Sequence, residues 1–67
     1  MNHIDRMLDE RSELVIKRNK LLAFMDSELF KELPTEDQEL MWEQRFLMTH
    51  YVVVLSKRIE RATVRPA

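Results

Sequence analysis

Sixty-seven residues carry a formal net charge of −1 and include neither glycine nor cysteine. That length supports one small domain; the missing cysteines exclude disulfides, thiolate zinc sites and thiol catalysis, and the near-neutral charge excludes bulk affinity for DNA. A chain this short buries a small share of its surface, so association with further copies is the expected source of additional core.

Hydrophobic residues make up 45 % and charged residues 34 % of the chain, a balance that folds rather than staying disordered. Without glycine, turns that need positive φ are costly, which disfavours β-hairpins and favours an all-α architecture. The longest uncharged run, Phe46 to Ser56, falls far short of the roughly 20 residues a membrane span needs. The N-terminus shows no basic-then-apolar leader. The expected setting is the cytoplasm of a host cell, with no membrane association.

The first element follows from the spacing of Ile4, Met7, Arg11, Leu14, Arg18, Leu21 and Met25, which alternates by three and four as a coiled-coil seam does. Leu8, Val15 and Leu22 widen its apolar stripe. This predicts a helix over about 3–25, with His3 at a frayed end. Asp26 and Ser27 can cap a short helical turn over 28–33, in which Phe30 and Leu33 plug the end of the molecule. Pro34 disfavours helical geometry at Leu33, and Thr35-Glu36-Asp37-Gln38 reads as a capping box with Gln38 reaching back to the Thr35 amide.

A second helix is predicted over 36–62. It carries two seams, one of Leu40, Gln44, Leu47, Tyr51, Val54 and Arg58, the other of Met41, Arg45, Met48, Val52, Leu55 and Ile59. Trp42, Phe46 and Val53 form a third apolar strip. A helix apolar on so many sides needs partners beyond its own hairpin mate. The expected fold is therefore an all-α, antiparallel two-helix hairpin spanning residues 1–62, with a short helical turn between and a flexible tail over 63–67. It is expected to oligomerise into a helical bundle. The locally strand-favouring Val52-Val53-Val54 run is overruled by the helical pattern around it.

Charge is unevenly spread. Residues 26–43 carry seven acidic groups against Lys31, or −6; residues 44–67 carry five basic groups against Glu60, or +4. One end should be acidic and the other basic.

No catalytic inventory emerges. Absent glycine removes phosphate-cradling glycine loops and dinucleotide fingerprints, and His50 stands without a metal-ligand partner at helical spacing. The expectation is a protein that is not an enzyme and that uses neither cofactor nor metal. What stands out is polarity within the seams. Antiparallel pairing about the turn sets Arg11 near Tyr51, Arg18 near Gln44, and Ile4 near Arg58 or Ile59. Two readings remain open. These residues can set register and oligomeric state, with long arginines reaching out to Glu10 or Glu13. Alternatively, Arg11, Arg18 and Arg58 bind phosphate oxygens while Tyr51 stacks on a base or ribose of a planar, anionic ligand.

Glu10, Glu13-Leu14, Lys17, Lys20-Leu21, Phe24, Ser27-Glu28, Phe30, Leu33-Pro34, Glu36, Gln38, Leu40, Gln44, Met48, Tyr51, Leu55 and Arg58-Ile59 together resemble the pattern of small phage-encoded helical-hairpin proteins. That group is similar in turn to the hairpins of anti-CBASS protein 2 and to the amino-terminal part of Thoeris anti-defence protein 1. The resemblance implies a homo-oligomer, from dimer up to hexamer, that sequesters a nucleotide signal of bacterial immunity between its subunits, such as a cyclic nucleotide or a cyclic ADP-ribose. Met41-Trp42 is followed here by Glu43-Gln44-Arg45, where anti-CBASS protein 2 has an Ala-Asn-Ala-like stretch. The candidate ligand residues therefore rest on the seam argument alone. A helical adaptor or inhibitor docking on a host protein through Trp42, Phe46 and Val53 is the competing expectation.

Overall fold

The computed structural model describes residues 2–63, and all the regular structure among them is helical: α1 (His3–Met25), α2 (Glu28–Lys31) and α3 (Thr35–Thr63). α3 folds back along α1 to give a rod of 54 × 17 × 14 Å. The expected flexible tail over 63–67 lies outside the described residues except for Thr63, which is helical.

α1 starts cleanly. Asn2 is extended (φ −89°, ψ 174°) and its Oδ1 accepts the Asp5 amide at 2.9 Å, satisfying one of the free amides of the first turn. Asp5 adds a negative charge where the helix dipole is positive. His3 is therefore the first residue of a capped helix. The overlooked signal was Asn2 itself, a strong capping residue.

The chain reverses without any positive φ among the described residues. A glycine could end α1 in one left-handed step. Here the reversal is spread from Asp26 to Pro34 instead. The Asp26 amide donates to the Leu22 and Ala23 carbonyls at 3.1 and 3.3 Å. The Ser27 hydroxyl donates to the Phe24 carbonyl, and its oxygen accepts the Phe30 amide at 3.4 Å to open α2. That brings Phe30 into a buried position, edge-on to Phe24 with ring centroids 6.3 Å apart, a favoured aromatic geometry.

The start of α3 departs from the expected capping box. The Pro34 carbonyl already accepts the Asp37 and Gln38 amides at 3.0 and 3.1 Å, so the helix begins at Thr35. Gln38 does not reach back to the Thr35 amide. Its Nε2 donates to the Leu33 carbonyl at 2.8 Å and the Lys31 carbonyl at 3.3 Å. The physical reason is a shortage of donors: α2 ends within one turn, leaving carbonyls without helical partners. This difference is measurable. A capping box would tolerate Gln38→Glu, because a carboxylate also accepts an amide. The observed geometry predicts that Gln38→Glu is worse than Gln38→Ala, which itself should cost about 1 kcal/mol and lower the thermal midpoint by roughly 4–8 °C. Thermal denaturation of the two variants decides it.

The interface between α1 and α3 uses every expected α1 seam position. Met7 is buried, and Ile4, Arg11, Leu14, Arg18, Leu21 and Met25 are half-buried. On α3, the seam of Met41, Arg45, Met48, Val52, Leu55 and Ile59 turns inward. Leu40, Gln44, Leu47, Tyr51, Val54 and Arg58 all face outward and are exposed. Met7, Leu55 and Ile59 form the core, with Ile4, Leu14 and Ala62 packed around them. Phe30 is the only other buried hydrophobic side chain among the described residues. The core thus sits near the two ends of the rod, and the middle is thin.

Candidate functional site

The four predicted ligand residues occupy three separate places. Arg11 is half-buried, and its Nη1 donates to the Ser56 hydroxyl at 3.2 Å. Tyr51 does not face the hairpin seam. It lies exposed on a flank of α3, close enough to α1 for its hydroxyl to donate to the Glu10 carboxylate. Together with Leu40, Glu43, Gln44, Leu47 and Met48, Tyr51 lines a mostly apolar groove along that flank. Arg58 is also exposed, and lines a second groove at the open end of the hairpin with His3, Ile4, Met7, Arg61 and Ala62.

Neither groove includes Arg11 or Arg18. Ile4 shares the open-end groove with Arg58, and Arg18 is fourteen residues further along α1, about 21 Å at a rise of about 1.5 Å per residue. One chain does not gather the four side chains into one pocket. Gln44, expected beside Arg18, lies in the outer groove, and its Nε2 lies 4.0 Å from the Met48 sulfur.

The inward seam contains a residue that the sequence set in a seam but not among the candidate ligand residues. Arg45 is half-buried on the face of α3 that meets α1, as Arg18 is on the opposing face of α1. The Nε of each is sealed from solvent and has no hydrogen-bond partner. An orphaned buried donor costs on the order of 1–3 kcal/mol, and less for side chains that remain half-exposed. Arg45 does have one compensation: its Cζ lies 5.2 Å from the Trp42 ring centroid, a cation–π contact worth about 0.5–1 kcal/mol at an exposed site. The expected pairing of the seam arginines with Glu10 or Glu13 is absent. Among the described residues the one ion pair joins Lys31 and Glu28 at 3.3 Å on the surface. Glu10 instead takes the hydroxyl of Tyr51. Its step, which is that of Met41 and Met48, had already placed Arg45 in this seam.

Beyond the polar groups, α3 presents two uncovered apolar stripes. Leu40 and Leu47 are 62 % and 58 % exposed, with Val54 and Tyr51 continuing their line; Trp42 and Phe46 are 52 % and 70 % exposed, with Val53 beyond them. Scattered apolar surface is ordinary, but contiguous stripes of large side chains mark contact surfaces. His50 is exposed on the same helix. No group of three or more metal-ligating side chains is assembled among the described residues, and none of their helices is long and apolar enough to cross a membrane.

The model of one protein family, Sequestin, matches residues 1–61, a span that takes in α1, α2 and nearly all of α3. The chain belongs to the Sequestin family. No curated protein and no solved structure matches it. The Sequestin match includes both seams of α3 and all of the inward arginines, so the outward stripes belong to the family's span and not to an appended segment.

Proposed function

We propose that the chain is a phage counter-defence protein that sequesters a host immune nucleotide second messenger in pockets between subunits. It assembles through the outward faces of α3 as a homo-oligomer in the host cytoplasm, and it binds its ligand without converting it. The family's name is compatible with sequestration, and the resemblance to anti-CBASS protein 2 points to the same class of ligand. The observation that carries the reading is the outward seam of α3. Leu40, Leu47 and Val54 lack cover there, and Tyr51 and Arg58 are interleaved with them. A second copy laid on this seam would turn the open grooves beside Tyr51 and Arg58 into enclosed sites. Aromatic stacking and guanidinium–phosphate pairing would then act away from bulk water, where both are stronger.

Calorimetry of the purified native assembly with a panel of cyclic dinucleotides, cyclic trinucleotides and cyclic ADP-ribose isomers tests this. One member should give saturable heat and be recovered chemically intact after the protein is denatured. Arg58→Ala should weaken that binding by about tenfold or more, the factor carried by one lost charge-assisted hydrogen bond. Absence of heat with every member, from a folded assembly, overturns the reading.

A second reading has its own support. Phe46 is 70 % exposed beside Trp42, and aromatic anchors of this kind dominate protein interfaces. On that reading the chain is a helical adaptor or inhibitor docked on a host protein. Stoichiometric recovery of one host protein, lost in Trp42→Ala and retained in Arg18→Ala, would favour it over the nucleotide sponge.

A further inference from the structure

We propose that Arg18 and Arg45 form a phosphate-binding layer inside the hairpin, with the indole of Trp42 as a shelf beside it for the base. The layer rests on the nucleotide reading above only for the base. For the phosphate it stands on its own geometry.

The two arginines share one level of the rod. Met7 packs with Leu55 in the core; Arg18 lies eleven residues after Met7, and Arg45 ten residues before Leu55. With Met7 level with Leu55 or with Ile59, both in its cluster, antiparallel helices set the two arginines within about 1.5–4.5 Å of one another along the axis. Both are half-buried, both have an Nε sealed from solvent without a partner, and no ion pair or hydrogen bond engages either guanidinium among the described residues. Arg11, two seam steps earlier, differs because Ser56 takes its Nη1.

Two like charges at one level, without a counter-charge, are a poor packing device; apolar side chains of the same length fit such a position better. The arrangement becomes favourable once an anion joins it. A phosphate offers oxygens on several sides, and each planar guanidinium fork can take two of them. The flanking charges on α1 are Lys17 and Lys20, which raise the local positive potential. Glu43, close in sequence to Arg45, lines the outer groove and makes no bond to it. Trp42 stands one turn before Arg45, already within cation–π reach of it and with half of its surface free. A nucleotide whose phosphate enters the layer can place its base on that free face.

The test uses thermal denaturation in inorganic phosphate against chloride at equal ionic strength. For the wild type, phosphate should raise the midpoint. Arg45→Met should melt at or above the wild type in chloride and show no phosphate shift, whereas Arg11→Met should keep the shift. Arg45→Lys retains the charge and the stem but removes the fork. It covers the case in which Arg45→Met fails to fold, and should lose most of the shift. No phosphate shift in the wild type, or an equal shift in the Arg45 variants, overturns the layer. A phosphate shift that depends on Arg45, in a protein that binds no nucleotide, sustains the layer while removing the sponge. Nucleotide binding of equal strength in wild type and Arg45→Met, with no phosphate shift in either, does the reverse.

Discussion

Leu55→Ala is expected to remove a large part of the chain's stability. Leu55 has 0 % exposure and is surrounded by Met7, Ile59, Ile4, Leu14 and Ala62. Truncating a buried leucine costs about 2–5 kcal/mol, through lost transfer energy and the cavity left behind. A chain of this length has only about 3–10 kcal/mol in total at the usual stability per residue. The variant should therefore be largely unfolded or close to it, seen as loss of helical circular dichroism at a much lower urea concentration. Phe46→Ala supplies the contrast, because an exposed side chain changes the stability of an isolated hairpin by about 0.5 kcal/mol or less. Should Leu55→Ala denature like the wild type, the packing of α1 on α3 is not what holds the molecule together.

The second large effect is on assembly. Leu40→Glu with Leu47→Glu places two carboxylates on the outward seam of α3, where both leucines are exposed in the single hairpin. Helical content should be retained, since neither side chain is part of the core. Burying unpaired carboxylates against another copy costs several kcal/mol each, so the dissociation constant should rise by about a thousandfold or more. Light scattering at micromolar concentration should report a drop from a multiple of the chain mass to the monomer. An unchanged mass would put the contact between copies on another face, and the pocket beside Tyr51 would lose its second wall.

The α1 seam was fully legible because α1 has a single apolar stripe, and its seven positions all face α3. α3 was ambiguous for the opposite reason. It offers two seams of similar apolarity, and nothing local distinguishes the one that ends in Ile59 from the one that ends in Arg58. The structure takes the seam that ends in Ile59, after a link held by the Phe30–Ser27 and Gln38–Leu33 hydrogen bonds. That choice moved Gln44, Tyr51 and Arg58 outward and brought Arg45 in. The box at Thr35 was misread because the motif describes only what lies after it. The Pro34 carbonyl and the unsatisfied end of α2, which decided the matter, come before it. The valine run of α3 is helical despite its strand preference, as its surrounding periodicity requires.

The spread-out reversal at one end of the rod also gives the molecule an electrical polarity. The seven acidic side chains of residues 26–43 cluster around that bend and the start of α3, while Lys57, Arg58 and Arg61 lie toward the far end of α3, where α1 brings Asp5, Asp9 and Glu10. Two rods lying shoulder to shoulder and pointing the same way would set one acidic bend against the other. Turned head to tail, each bend meets the other's tip and the repulsion becomes attraction, felt over a screening distance of about 8 Å at physiological salt. If copies pack side by side, the charge order favours alternating directions, and added salt should blunt that preference before it loosens the apolar contacts.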